Sequence, residues 1–247
     1  MDGLQLVNLT RQIALKRELE TVANNIANVN TPGFKARSLR FAEMLRGLAG
    51  QDTERSGLTS FAHDRGNTVD FGDGALEKTG APLDVAVQGA NLLVVQTPQG
   101  ERYTRDGGFR LDAQGRIVTR SGFPVLGDGG PITIAPGETN LAIADDGRVT
   151  SSGGEKGRLR LVSVADPATL IPEGDNLFAA NAALQPAPPG TAVIAGHLER
   201  ANVRPMMEIS RLIEIGRAYA SAASLMQRHD ELKRTGVEKL ATVPNGA

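Results

Sequence analysis

Apolar residues recur at steps of four and three at both ends of this chain, and in the middle they do not. Helical periodicity at each terminus around a body that lacks it restricts the fold more than any other feature. Leu15, Leu19, Val22, Ile26 and Val29 follow 4-3-4-3 steps, a narrow seam of the coiled-coil kind. Arg11, Lys16, Arg17, Glu18 and Glu20 lie off it. The spacing predicts a helix from about Leu4 to Val29, stopped by Thr31-Pro32-Gly33, where proline removes a donor and restrains the residue before it. Near the other end Leu212, Ile215, Tyr219, Ala222, Met226 and His229 step 3-4-3-4-3. They predict a second helix from about Asn202, a candidate cap with Pro205 in the first turn, to Leu240. A lone helix with one apolar seam is marginal in water. Each seam must therefore bury against the other, or against the same elements of neighbouring subunits.

From Leu83 to about Leu198 the pattern is that of strands. Leu83, Val85 and Val87 alternate, and Leu92 to Val95 form a continuous apolar run expected of a strand buried on both faces. Asp106-Gly107, Asp112 to Gly115, Asp128-Gly129 and Asp146-Gly147 supply turns for tight hairpins. Leu159 and Leu161 alternate with arginines, then the apolar set changes face at Val162 and Val164, which suggests a bulge. Residues 36–76 show no clear period, and the polar run Gly50–Asn67 reads as an extended connector without regular structure. The expected fold class is α+β: terminal helices forming a coiled-coil-like stem, with a central, mainly antiparallel β domain. The expected layout is residues 1–35, a helix; 36–76, a connector; 77–200, the β domain; and 201–247, the second helix.

The residues give no support for catalysis, and no cofactor, metal or small-molecule substrate is expected. His63, His197 and His229 are far apart and fit no metal-ligand spacing. Ser121 beside Gly122 reads as a turn, with no GxSxG. Gly72-Asp73-Gly74 and Gly127 to Gly130 lack the glycine spacing of a dinucleotide loop and the Gly-Lys-Ser/Thr of a P-loop. Asp145-Asp146-Gly147 lacks the spaced carboxylates of a calcium loop, and Asp84 has no evident acid–base partner. With 27 Lys+Arg against 28 Asp+Glu the net charge is -1, which offers no field for nucleic acid. Arg102, Arg105, Arg110, Arg116 and Arg120 are read as solvent-facing strand positions rather than a nucleic-acid surface, since only Tyr103 and Phe109 lie among them. Zero Cys excludes disulfides and thiolate sites. No apolar run reaches the length needed to span a bilayer, and the charged N-terminal stretch does not read as a cleavable signal peptide.

Several strings carry a resemblance. Ala23-Asn24-Asn25-Ile26-Ala27-Asn28-Val29-Asn30-Thr31-Pro32-Gly33-Phe34-Lys35 resembles the N-terminal signature of bacterial flagellar rod and hook proteins. Asparagines favour caps over helix interiors, so their run within a helix points to side-chain bonds with neighbouring chains. Thr79-Gly80, Leu83 to Gly89 and Arg102 to Phe109, followed by Leu111-Asp112 and Gly115, are similar to the family's central β segment. Gly196-His197-Leu198-Glu199 with Asn202-Val203 resembles the entry to its terminal helix, where Arg217-Ala218-Tyr219 supplies an Arg-aromatic pair. The length fits the proximal-rod and distal-rod members, and neither the shorter rod proteins nor the much longer hook protein. Gly127 to Ile134 and Asn202-Val203-Arg204-Pro205 look more like the proximal type.

The resemblance implies a structural subunit of the proximal rod, the drive shaft crossing the periplasm within the flagellar basal body, for motility. It implies passage through the flagellar type III export apparatus without signal cleavage. The partners implied are copies of itself, other proximal-rod subunits and the distal rod protein; nucleic acid and membrane insertion are not. The subunit-interface residues implied are Leu15, Leu19, Val22, Asn24, Asn25, Ile26, Asn28, Phe34, Leu212, Ile215, Tyr219 and Met226. The alternatives are a distal rod subunit and a free-standing periplasmic β domain that binds a ligand. The last predicts a compact monomer with protected termini; a rod subunit predicts protease-sensitive ends around a resistant core near residues 77–200.

Overall fold

The computed structural model describes residues 3–47, 58–181, 184–188 and 190–241. The chain divides into two compact units, each built from separate stretches of sequence.

One unit gathers Met1–Ile26, Ser38–Asn67 and Pro205–Ala247. It holds the two helices, α1 (Gly3–Ala27) and α2 (Pro205–Ala241). The Arg211 guanidinium donates to Glu18 Oε1 at 2.7 Å and Asn25 Nδ2 to Glu208 Oε2 at 3.3 Å. Residue numbers fall along one helix as they rise along the other, so the two run antiparallel. The connector 36–76 contains two strands, β1 (Arg37–Gly47) and β2 (Leu58–Val69), which pair with each other, and β2 corrects the expectation that Gly50–Asn67 lacks regular structure. Their sequences are mixed in polarity, so neither face gives the alternation that marks a half-buried strand. Residues 50–57 of the polar run lie outside the described residues, as do the side chains of His63 and His229.

The other unit comprises Ala27–Arg37 and Thr68–Arg204. Its short strands are β3 (Leu76–Lys78), β4 (Val85–Val87), β5 (Asn91–Thr97), β6 (Gly100–Thr104), β7 (Arg110–Leu111), β8 (Ile117–Val118), β9 (Leu126–Gly127) and β10 (Gly130–Pro131). They continue as β11 (Ala142–Ile143), β12 (Arg148–Ser151), β13 (Gly154–Arg158), β14 (Leu161–Ser163), β15 (Leu170–Pro172), β16 (Leu177–Ala180), β17 (Gln185–Pro186), β18 (Val193–Ala195) and β19 (His197–Glu199). The largest sheet has the order β15-β16-β6-β5-β14-β17, with antiparallel neighbours. The remaining pairs are mostly hairpins between consecutive strands. The exceptions are β18 with β4 and β19 with β3, which join the two ends of the unit.

The sheet has a core on each face. Leu93 and Val95 of β5 pack with Val85, Ile117, Val125, Val149 and Val193; Leu92 and Val94 pack with Val69, Val162, Val164, Leu170 and Phe178. This is why β5 reads as an unbroken apolar run. It also explains the change of face after Leu161. No bulge is needed there, because Leu161 and Val162 pair in regular register with Leu93 and Leu92, and each side of the strand meets its own core. The register shift in this unit lies instead between Val149 and Thr150.

Of the Asp-Gly turns, Gly115 and Gly147 adopt φ of 75° and 82°, as tight turns require. Asp106-Gly107 is not a hairpin turn. Gly107 is needed for closeness: a Cβ there would stand 1.9 Å from the Val85 carbonyl oxygen, which packs against its backbone.

Both cores are closely packed around β5, so truncating either face should be costly. Leu92→Ala and Leu93→Ala are each expected to lower the unfolding free energy by about 2–5 kcal/mol, measured by chemical denaturation. A loss below about 1 kcal/mol at either position would contradict burial on both faces.

Candidate functional site

The residues that follow α1 are held in a seat built by the far end of the β unit. Past Ala27 the chain turns: Thr31 N–H donates to Asn28 C=O at 3.0 Å, and the Thr31 hydroxyl donates to Asn28 Oδ1 at 3.1 Å. Gly33 then takes φ of 66°, and a Cβ there would lie 2.4 Å from the Arg105 carbonyl carbon. Glycine is obligatory on both counts, conformation and space.

From that turn the next residues reach partners distant in sequence. Asn176 Nδ2 donates to Pro32 C=O at 3.0 Å, and Gly33 N–H to Glu199 C=O at 2.6 Å. Ala36 N–H donates to Asn202 Oδ1 at 2.7 Å, and Asp70 N–H to Ala36 C=O at 2.8 Å. Asn202 also donates to the carbonyls of Asp70 and Gly72. It had been expected to cap the second helix; its amide instead joins three stretches of backbone within the β unit.

At the centre lies a buried carboxylate. Lys35, Arg105 and Glu199 are all at most 3% exposed. Lys35 Nζ donates to Glu199 Oε1 at 2.6 Å and to Gly72 C=O at 2.8 Å. Arg105 Nε donates to Glu199 Oε2, and its Nη1 to the carbonyls of Gly89 and Asn91. Gly74 N–H donates to Glu199 Oε1 at 2.7 Å. Exposed Asp73, 3.5 Å from Arg105 Nη2, adds a second negative charge. Burial pushes the Glu199 carboxyl up, but the charge of Arg105 and the hydrogen bonds from Lys35 and Gly74 outweigh it and hold it below the ordinary value. The Lys35 pKa is lowered too, by burial, despite its bond to Glu199.

Arg105 was expected to face solvent with its neighbours, and the structure corrects this. Its side chain fills the interior, while the other four arginines separate. Arg102 pairs with Glu173, Arg116 with Asp112 and Arg120 with Asp106, and Arg110 is exposed. A stripe of charge is absent because most of these guanidinium groups are already matched to a carboxylate.

The expected interface residues fall in both units. In the helical unit Val22, Asn25 and Ile215 are buried; Leu15, Leu19, Ile26, Leu212 and Met226 are half-buried; Asn24 and Tyr219 are exposed. In the β unit Phe34 is buried and Asn28 is half-buried in the post-helix turn. Asn25 and Asn28 thus bond within the chain. A second apolar row on α2, Met206, Ile209 and Ile213, is exposed. Lys35, Arg105 and Glu199 were not singled out as a site from the sequence. The one available signal was a cation directly after Pro-Gly-Phe and a glutamate closing a short strand.

Elsewhere, a cleft of about 300 Å³ is lined by Asp128, Arg158, Leu161, Pro186, Pro188 and Thr191. Arg158 Nε is engaged by the Asp146 carbonyl. Among the described residues there is no cluster of side chains able to hold a metal ion.

Residues 6–35 match the family of flagella basal body rod proteins, 86–151 the D1 domain of the flagellar hook proteins FlgE/F/G, and 194–239 the C-terminal region of the flagellar basal body rod FlgEFG proteins. Lys35, Arg105 and Glu199 fall one in each. The flagellar basal-body rod protein FlgF of Caulobacter vibrioides is 41% identical over 98% of this chain and 100% of its own length. FlgF of Rhizobium meliloti is 35% identical over 95% of this chain and 96% of its own, and FlgG of Bacillus subtilis 31% over 87% and 90%.

Removing one partner of a buried ion cluster leaves uncompensated charge, at a cost of about 3–5 kcal/mol. Glu199→Gln should lower stability by about 3 kcal/mol at neutral pH. Because the folded pKa of Glu199 lies below its unfolded value, its contribution is present above the ordinary 4.5 and is lost as pH falls through the folded value. In urea titrations from about pH 7 to about pH 3, the gap between the wild-type chain and Glu199→Gln should therefore narrow. A gap that stays constant or widens on acidification would show that Glu199 is not held as a carboxylate.

Proposed function

This chain belongs to the flagellar basal-body rod protein family and is a structural subunit of that rod, and from this premise we propose that it serves in the proximal rod. The observation that carries the reading is the 41% identity to a FlgF protein along nearly the whole chain. FlgG proteins, at 31% and 32%, support the distal rod as the second reading.

In this reading α1 and α2, the helices within residues 1–35 and 201–247, form the axial core as a coiled-coil-like stem, and residues 77–200 form the β domain. The seam residues Leu15, Leu19, Val22, Ile26, Leu212, Ile215, Tyr219 and Met226 hold the stem and join it to neighbours. The exposed row Met206, Ile209 and Ile213 supports this, since α2 has more apolar surface than one partner helix covers. The partners are copies of the chain, other rod proteins and the distal rod protein FlgG. Contacts run head to tail, so the two sides of a subunit differ. The subunit travels through the type III export apparatus without signal cleavage and works in the periplasm. No described helix is long and apolar enough to cross a membrane.

Deletion of the gene should leave basal bodies without a rod beyond its base and without a hook, seen by electron microscopy. A short proximal rod in those particles would favour the distal position; complete, rotating flagella would overturn both. At residue level, a buried seam side chain contributes about 1.5–3 kcal/mol. Leu19→Asp and Met226→Asp should therefore abolish incorporation and swimming while limited proteolysis still yields the β domain. Normal swimming by either variant would refute the seam.

A further inference from the structure

The contacts of the β unit run from local hairpins to a long-range seat, with sheet pairs such as Leu93 to Leu161 and Tyr103 to Phe178 between them, and the two extremes form distinct groups. Hairpins β5–β6, β7–β8, β9–β10, β11–β12, β12–β13 and β15–β16 join strands that follow one another. The seat for residues 32–36 is different. Lys35 and Glu199 are 164 residues apart, Ala36 and Asn202 166, Pro32 and Asn176 144, and Gly74 and Glu199 125. The β3–β19 and β4–β18 pairs close the same end of the unit.

The two groups differ in what closing them requires. A hairpin closes a loop of a few residues, whereas the seat must bring together chain ends separated by most of the unit. The seat also has little to offer until it is complete. Glu199 unaccompanied by Lys35 and Arg105 is a carboxylate entering an apolar interior, and either cation without Glu199 is equally unfavourable. Its formation is all-or-none and needs β19 in place.

We infer that the charge lock is a clasp that closes last: the hairpins assemble around β5 first, and the segment Thr31–Ala36 stays unseated until β19 docks. Until then the residues that join α1 to the β unit are open to other partners, and afterwards they are covered. The inference rests on the order of contacts along the chain and is independent of the rod assignment.

Refolding of the full chain tests it, with a brief unfolding pulse so that prolines keep their native isomers. In the wild-type chain, pulsed hydrogen exchange read by mass spectrometry should show Val95 and Arg102, which pair across the β5–β6 hairpin, protected in an earlier phase than Gly33 and Ala36. Simultaneous protection, or earlier protection of Gly33 and Ala36, would overturn the inference. Stopped-flow kinetics give a second reading from variants. Leu93→Ala should slow folding about tenfold, whereas Glu199→Gln should leave folding within about twofold and speed unfolding about a hundredfold. Slowed folding in Glu199→Gln comparable to that in Leu93→Ala would place the lock in the folding nucleus and refute the clasp. Should Glu199→Gln fail to fold, the wild-type exchange experiment still decides.

Discussion

A carboxylate removed from water must be given cations, and Glu199 takes both of its own from remote parts of the chain. Much of the β unit's closure depends on that requirement. Lys35 fixes the segment that leaves the first helix, Arg105 fixes the end of the β5–β6 hairpin, and Glu199 fixes the strand that precedes the second helix. The backbone follows: Gly33, Gly72, Gly74, Gly89 and Asn91 each place an N–H or C=O on the same cluster or the strand that carries it. Such a cluster gains little net energy over an apolar packing of equal volume, but it is expensive to half-form. Its effect is to admit one arrangement of three chain segments and penalise the rest.

The large elements were legible in the sequence because each has a local cause. The 4-3 steps report a helix face, and Leu92 to Val95 report a strand with apolar surroundings on both sides. The change of face between Leu159 and Val162 was visible too, but its cause was not. Periodicity tells which way a side chain points and is silent on what lies there, so two cores look like a bulge. Arg105 failed for a related reason. A guanidinium on a strand looks solvent-facing until a carboxylate 94 residues away is known to meet it. Asn202 likewise has the residue type and position of a helix cap, and only the folded chain shows its amide shared among Ala36, Asp70 and Gly72. In β1 and β2 no pattern was present to read.

The helical unit shows how much one element can carry. Along α2, Ile215 and Ala222 are buried, while Met206, Ile209 and Ile213, on a different face, meet water. In a solitary subunit that second row is a hydrophobic cost; in a polymer it becomes adhesive. The first helix contributes polar pairing, through Glu18 with Arg211 and Asn25 with Glu208. Directional bonds of this kind set the registry between two helices, which apolar side chains alone leave free to slide.

Among the described residues the lock touches the chain at a few short intervals: residues 31–36, 70–74, 89–91, 105, 176 and 199–202. The long stretches between those intervals make no demand on it. Exposed turns such as Asp128-Gly129 and Pro136-Gly137 can be lengthened while the strands between them keep both cores and the same charges meet at the same base. The arrangement is a socket with fixed pins and exchangeable fittings. A lineage could diversify the size and outer surface of such subunits by insertion, and still deliver both terminal helices from one unchanging root.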